Sequence, residues 1–329
     1  MPSVSRRTLL AGAAATGALS TIALRAEDKL APEPDLTGKS ILITGCSSGF
    51  GRLGAIYYAR RGAKVFASMR NFPRPEVGEL EGYAFEHDLD VTVLEIDVTD
   101  EESVNAGVAL AEQLNDGPLD ILVNNAGIGI TSPVEVQDME ATRLIFETNV
   151  FGPHRMARAV LPGMRKRGSG QIFQISSQLG RVIVPNAGHY SASKFALEAM
   201  SEQLAYELVA HGIDVTIIEP GGYPTQVWVN RNRYTAELKE RAAAVHLEGY
   251  PQAVAQMGKE DGSGRTADPM DVPYAIARTI AMPAGTRPLR LPVSGGTIPQ
   301  LAINEVTART QVEWLGGTGY GPLIRAVHD

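Results

Sequence analysis

Between Lys39 and Pro220 the hydrophobic pattern repeats one theme. A short apolar run ends in Gly, Ser, Asn or Asp and alternates with a stretch of helical period. KSILITG, AKVFASM, VTVLEID, DILVNNAG, QIFQISS and DVTIIEPGG are too short for buried helices and are bounded by turn residues, so they predict strands. Near-continuous apolar strands alternating with helices imply a parallel sheet covered on both faces, with right-handed crossovers. Two long helices are expected, from about Phe151 to Arg167 and from about His189 to Ala210. The second carries Phe195, Leu197, Met200, Leu204 and Leu208 at helical spacing. DPMDVPYAIARTIAMP and RPLRLPV predict one more helix and a last strand. From Tyr223 to Arg265 the pattern weakens into an Ala-rich charged stretch and DGSGR, where an α/β sheet places a substrate lid. No internal repeat or second domain is visible.

Composition narrows the class. With 44% hydrophobic residues in 329, the chain can bury a sizeable core, and a formal charge of −7 argues against nucleic acid as a partner. The single cysteine, Cys46, excludes an internal disulfide, and the scattered histidines suggest no metal site. Residues 1–30 have the layout of a secretory leader, in which paired arginines precede an uncharged Ala/Gly/Leu run. Ser5-Arg6-Arg7-Thr8-Leu9-Leu10 resembles the twin-arginine motif, which directs folded proteins to the periplasm. A cytoplasmic location is the alternative if the leader does not function. The run from Thr8 to Leu24 is weakly apolar and short of the roughly 20 residues of a membrane span, so no stable membrane association is expected once the leader is removed. The domain reading is therefore a leader over 1–30 and one folded domain over 31–329, with 223–265 as the lid.

Two local features carry chemistry. TGCSSGFG, Thr44 to Gly51, follows the first strand and opens a helix. Glycines there allow a tight turn and close approach to a pyrophosphate held at the helix N-terminus. Tyr190 and Lys194 are four residues apart on one helix face, so the ammonium can stabilise an ionised phenol. Ser177 lies thirteen residues before the tyrosine, with Ser176 the neighbouring alternative. His189 points about 100° away from Tyr190, which favours a rim or structural role.

Thr44 to Gly51, Asn124-Asn125-Ala126-Gly127, Asn149, Ser177, Tyr190, Lys194 and Pro220-Gly221 stand in the order and spacing of the short-chain dehydrogenase/reductase family. From about Lys39 to Gly222 the chain resembles that family throughout. The resemblance implies a single Rossmann-type α/β domain, a doubly wound parallel sheet with helices on both faces. It also implies an oxidoreductase in which Tyr190 is general acid or base. Lys194 would lower the tyrosine pKa and bind the nicotinamide ribose, Ser177 would donate to the substrate oxygen, and Asn149 would anchor a water beside Lys194. Residues expected at the cofactor by resemblance are Thr44, Gly45, Ser47, Ser48, Gly49, Phe50, Gly51, Arg70, Asp97, Val98, Asn125, Ala126, Gly127, Tyr190, Lys194, Pro220, Gly221 and Thr225. Asp97 would hold the adenine and Thr225 the carboxamide, while Asn124 would stabilise the sheet.

NAD-specific members carry an acidic residue at the end of the second strand, where this chain reads Ser68-Met69-Arg70. Arg70 can pair bidentately with a 2′-phosphate, so NADP is favoured over NAD; Arg52 is a second candidate there or a solvated charge. The expected substrate is a small-molecule carbonyl or secondary alcohol of moderate hydrophobicity, framed by Gln178, Leu179, Val184, Gly222 and Tyr223. A homodimer or homotetramer through the two long helices is the family's habit. The competing reading is a nucleotide-binding regulatory or scaffold protein with this fold and little turnover.

Overall fold

Each apolar run predicted to be a strand forms one. The computed structural model describes residues 33–328, so the leader and its paired arginines lie outside the described residues. The strands are β1 (Ser40–Ile43), β2 (Lys64–Met69), β3 (Val91–Glu95), β4 (Ile121–Asn124), β5 (Gly170–Ile175), β6 (Ile213–Pro220) and β7 (Arg290–Val293). They form one seven-stranded sheet in the order β3-β2-β1-β4-β5-β6-β7. All neighbours pair in parallel.

The period-two alternation of a strand splits each apolar run between two cores. Ile41 and Ile43 of β1, Val65 and Ala67 of β2, and Phe173 and Ile175 of β5 face one cluster. Leu42, Phe66 and Ile172 face the other. The first core is covered by α1 (Gly49–Arg60), packed close through Ala55 and Tyr58, and by α10 (Asp271–Ala281). The second lies beneath α3 (Glu101–Asn115), α5 (Gly152–Arg167) and α6 (His189–Leu208). Asp100 starts α3 by accepting from the backbone N–H groups of Glu102 and Ser103, and Gly168, with φ +72°, ends α5. The remaining crossover helix is α2 (Pro75–Glu86), which packs on β3.

Three places depart from the sequence pattern. Before α5, α4 (Met139–Phe146) runs into a π-helical turn, Glu147–Phe151, which carries Asn149. The weakly patterned segment after Tyr223 is mostly helical, as α7 (Val227–Arg241), α8 (Ala244–Leu247) and α9 (Pro251–Gln256). Tyr234, Leu238 and Met257 of this cap bury a third cluster with Ile128, Ile130, Ala141 and Ile145. Beyond β7 the chain adds α11 (Gln300–Leu315) and α12 (Gly321–His328), which the pattern did not predict. Only Gln300 of α11 is buried, so no apolar stripe marks that helix. No described helix is long and apolar enough to cross a membrane.

Candidate active site

The carboxyl ends of β1, β4, β5 and β6 open into a cavity of about 910 Å³, roofed by α7. Its floor is the Gly-rich turn after β1. Gly45 has φ +74°, and a Cβ on it would lie 2.9 Å from the Cα of Ala126. A Cβ on Gly51 would lie 2.5 Å from both the carbonyl oxygen of Gly45 and Nδ2 of Asn125. Only glycine fits either position. Ser47, Ser48, Gly49 and Phe50 line the cavity at the N-terminus of α1, where unpaired amides and the helix dipole favour an anion.

Thr44 and Gly51 shape this floor from behind and do not line it. Oγ1 of Thr44 accepts from the backbone N–H groups of Asn125 at 3.0 Å and Ala126 at 2.9 Å. Asn125 returns the contact, its Nδ2 donating to the carbonyl oxygens of Thr44 at 2.8 Å and Gly45 at 3.2 Å. These bonds clamp the ends of β1 and β4 together, so that Asn125, Ala126 and Gly127 all line the cavity. Asn124 is turned into the protein, its Nδ2 donating to Pro153 O at 3.4 Å.

At the end of β2, Arg70 lines the cavity and donates to the hydroxyl of Tyr234 on α7 at 3.0 Å. Asn71, at φ 62°, folds the following loop back, and Arg74 joins Arg70 in the wall. Arg74 is also held in an ion pair with Glu76 at 2.8 Å. Arg52 pairs with Glu79 at 3.3 Å instead and does not line the cavity. Val98 lines it, but Asp97 does not: its Oδ1 accepts from Thr99 N at 2.9 Å and Thr99 Oγ1 at 2.7 Å, an Asx turn leading into α3.

Ser177, Tyr190 and Lys194 meet at the other end. Ser177 ends β5 as the cap of a short 3₁₀ turn, Gln178–Gly180, its Oγ accepting from Leu179 N at 3.1 Å. Lys194 is buried, its Nζ donating to Ile175 O at 2.8 Å and lying 5.8 Å from the centroid of the Tyr190 ring. Burial pushes the Lys194 ammonium down to about 8, against an upward pull from Glu198. Burial also pushes the Tyr190 phenol above its ordinary value of 10, offset in part by a hydrogen bond with Ser177 and by the charge of Arg231 on α7. This differs from the sequence expectation that Lys194 lowers the phenol. Desolvation outweighs the hydrogen bond with Ser177 and the charge of Arg231.

Asn149 does not reach the cavity. The π-helical turn aims its amide at the loop after β4, where Oδ1 accepts from Ile128 N at 2.9 Å and Nδ2 donates to Ile128 O at 2.9 Å and Ser193 Oγ at 3.1 Å. Gly127 lies between this amide and Lys194; a Cβ there would be 3.3 Å from Asn149 Oδ1 and 3.7 Å from Lys194 Nζ. Pro220, Gly221 and Thr225 line the cavity beside β6, with Thr225 against Gly49. Ser176 also lines it, and its buried Oγ has no partner. His189 is turned to α4, its Nδ1 2.8 Å from Thr142 Oγ1. No group of His, Cys, Asp or Glu able to hold a metal occurs among the described residues. Arg74 and Arg231 were not singled out by sequence reading; the spacing of Arg74 four residues after Arg70 is the one local signal for either.

Comparison with known proteins agrees with this architecture. The family profile described as short chain dehydrogenase matches residues 39–235. An uncharacterized oxidoreductase of Bacillus subtilis, YusZ, is 36% identical over 78% of this chain and 90% of its own. Human retinol dehydrogenase 8 is 39% identical over 57% of this chain and 60% of its own. Among solved structures, a short-chain dehydrogenase from Streptomyces avermitilis superposes with a TM-score of 0.66 at 30% identity, over 84% of this chain and 97% of its own.

Proposed function

The chain belongs to the short-chain dehydrogenase family, and from that premise we propose that it is an NADP(H)-dependent oxidoreductase interconverting a ketone or aldehyde with an alcohol. The observation that carries the reading is the convergence of Ser177, Tyr190 and Lys194 on the cavity that Gly45 and Arg70 also line. The cavity fits a dinucleotide: the glycine floor leaves space that a Cβ would fill, and a helix N-terminus faces it. Gly45, Ser47, Ser48 and Gly49 would hold the pyrophosphate. Arg70 and Arg74, the latter also held by Glu76, supply a paired-arginine wall suited to a 2′-phosphate, and Ser68-Met69-Arg70 at the end of β2 includes no carboxylate. When bound, the nicotinamide supplies or accepts hydride at the substrate carbon.

The protein's own part is proton transfer and charge stabilisation. With its pKa above 10, the Tyr190 phenol is protonated at neutral pH and ready to donate to the substrate oxygen as a carbonyl is reduced. Ser177 donates a second hydrogen bond to the same oxygen, where negative charge builds. Lys194, with a pKa of about 8, is mostly charged at neutral pH and steadies the phenolate left behind. Asn149 acts at one remove, locking Ile128 and so the loop that separates it from Lys194.

Leu179, Val184, Ile128 and Met257 give the substrate end an apolar lining, which supports a carbonyl or secondary alcohol of moderate hydrophobicity. The test is NADPH oxidation with a panel of ketones and aldehydes. The Tyr190→Phe variant is expected to lose turnover by roughly a hundredfold or more while still binding NADPH. A variant that behaves as the native protein, with no carbonyl reduced by either, would leave a nucleotide-binding protein without turnover.

A further inference from the structure

Lid helix α7 brings to the tyrosine a cation that hydride transfer does not require. Arg231 lines the cavity with Tyr190, Ser177 and Lys194. Its stem crosses Gly129 so closely that a Cβ there would sit 3.2 Å from its Cγ. Its guanidinium carbon lies 4.3 Å from the centroid of the Trp228 ring, and that of Arg265 lies 3.8 Å from the same centroid. One Nη donates to Glu260 O at 3.1 Å, while Nε is buried with no acceptor. The carboxylate of Glu260 is held by Arg265 at 2.7 Å. Among the described residues no carboxylate forms an ion pair with Arg231, although Arg155, Arg241, Arg287 and Arg290 each have one.

Stacking on Trp228 offsets part of the cost of burying this guanidinium, but the carboxylate that acts on it, Glu260, is already paired with Arg265, and its Nε is left without an acceptor. The cavity lining as a whole is cationic, although Arg74, Arg233 and Arg265 have carboxylate partners in Glu76, Glu237 and Glu260. Arg70, Arg74, Lys194, Arg231, Arg233 and Arg265 line it against the one carboxylate of Glu260, in a chain whose net charge is −7. Arg70 and Arg74 lie at the end of β2, where the cofactor phosphate is placed, whereas Arg231 stands beside the tyrosine.

We propose that Arg231 receives an anionic group on the substrate, so that the enzyme acts on oxo acids or hydroxy acids in which a carboxylate lies within a short chain of the reacting carbon. The inference rests on the oxidoreductase reading of the same cavity. The apolar lining takes the hydrocarbon part, Arg231 takes the charge, and the carbonyl is left between Tyr190 and Ser177.

The test compares straight-chain oxo acids with their methyl esters as substrates for NADPH oxidation by the native protein, Arg231→Gln and Arg231→Lys. The native enzyme should prefer acid to ester by about tenfold or more in kcat/KM. Relative to the esters, Arg231→Gln should lose roughly ten- to a hundredfold on the acids, mainly through KM, with Arg231→Lys recovering part of the loss. Equal use of acids and esters by the native enzyme would overturn the proposal. So would a fall in kcat common to both substrates in Arg231→Gln with a displaced pH profile, which would make Arg231 a positioning residue for Tyr190. Calorimetric titration of octanoate onto the protein with NADP+ separates the two readings. Octanoate bound through Arg231 with no carbonyl reduced would keep the anion site and reject the oxidoreductase. Reduction of esters with no acid preference and no octanoate binding would reject the anion site alone.

Discussion

Glu219→Gln should make the protein more stable, and only at high pH. Glu219, at the end of β6, is fully buried, and it shares one guanidinium with two other acids. Arg290 lies 2.8 Å from Glu198, 2.6 Å from Glu202 and 3.7 Å from Glu219. Arg290 is the cation within ion-pair reach of all three, Arg181 acts on Glu219 from farther off, and Oε1 of Glu198 and Oε1 of Glu219 have no hydrogen-bond partner. Burial and the charge of Glu198 together push Glu219 from the ordinary 4.5 up to about 7. The folded protein then keeps a proton that the unfolded chain releases. The stability this contributes is full below pH 4.5, falls as the pH rises, and is lost above about 7. At about 1.4 kcal/mol per pKa unit the loss is roughly 3 kcal/mol. Glutamine keeps the shape, can accept from Asn304 as Glu219 Oε2 does at 2.7 Å, and carries no charge. Urea unfolding should show Glu219→Gln more stable than the native protein by about 2–3 kcal/mol near pH 8 and nearly equal near pH 5. A difference that does not change with pH, or a variant weaker near pH 8, would refute the reasoning.

Because the Tyr190 phenol lies above 10 and Lys194 at about 8, carbonyl reduction should hold through neutral pH and fall as Lys194 loses its charge, whereas alcohol oxidation, which needs phenolate, should keep rising into alkali; initial rates in both directions across pH check this. Arg70→Ala should weaken NADPH binding by roughly ten- to a hundredfold and NADH binding little, measured by nucleotide fluorescence. Gly51→Ala places a Cβ 2.5 Å from a backbone oxygen that cannot retreat without moving the cofactor floor, so it should cost about 1–3 kcal/mol in thermal unfolding and lower cofactor affinity. Gly78→Ala, on exposed α2 with nothing within 4 Å of the added carbon, should instead stabilise by about 0.5–1 kcal/mol.

The parts of the fold legible in sequence are those where one local pattern has one physical solution. Ile41, Leu42 and Ile43 read as a strand because both faces of β1 are buried, one by each core. α11 had no such signal, since its attachment is polar: Gln300 donates to Glu219 O at 3.3 Å and Asn304 to its carboxylate. Spacing along the chain does not say which way a side chain turns. Thr44 spends its hydroxyl on backbone groups, Asn149 its amide on Ile128 and Ser193, and Asp97 its carboxylate on its own turn. Arg231 was invisible for a different reason. It lies on a charged helix far along the chain from Tyr190, and only the packing of Tyr234 and Leu238 beneath α7 brings it to the cavity.

One pattern in the sequence acquires meaning only with the structure. Tyr190, Lys194, Glu198 and Glu202 recur every four residues along α6, a row that drifts about 40° per step around the helix. The row leads from the cavity to Arg290, so the catalytic end and the buried ion cluster share Glu198. Its charge pulls Lys194 upward and pushes Glu219 upward. Removing it in Glu198→Gln should therefore act at both ends at once. Lys194 should lose its proton at lower pH, moving the alkaline fall of carbonyl reduction toward neutrality. Glu219 should titrate closer to its ordinary range, narrowing the pH window over which stability is lost. Arg290 keeps Glu202 as a partner at 2.6 Å, so the cation is not stranded. An alkaline limb that stays in place while the stability window narrows would show that Glu198 serves the ion cluster alone and that Lys194 is set by burial.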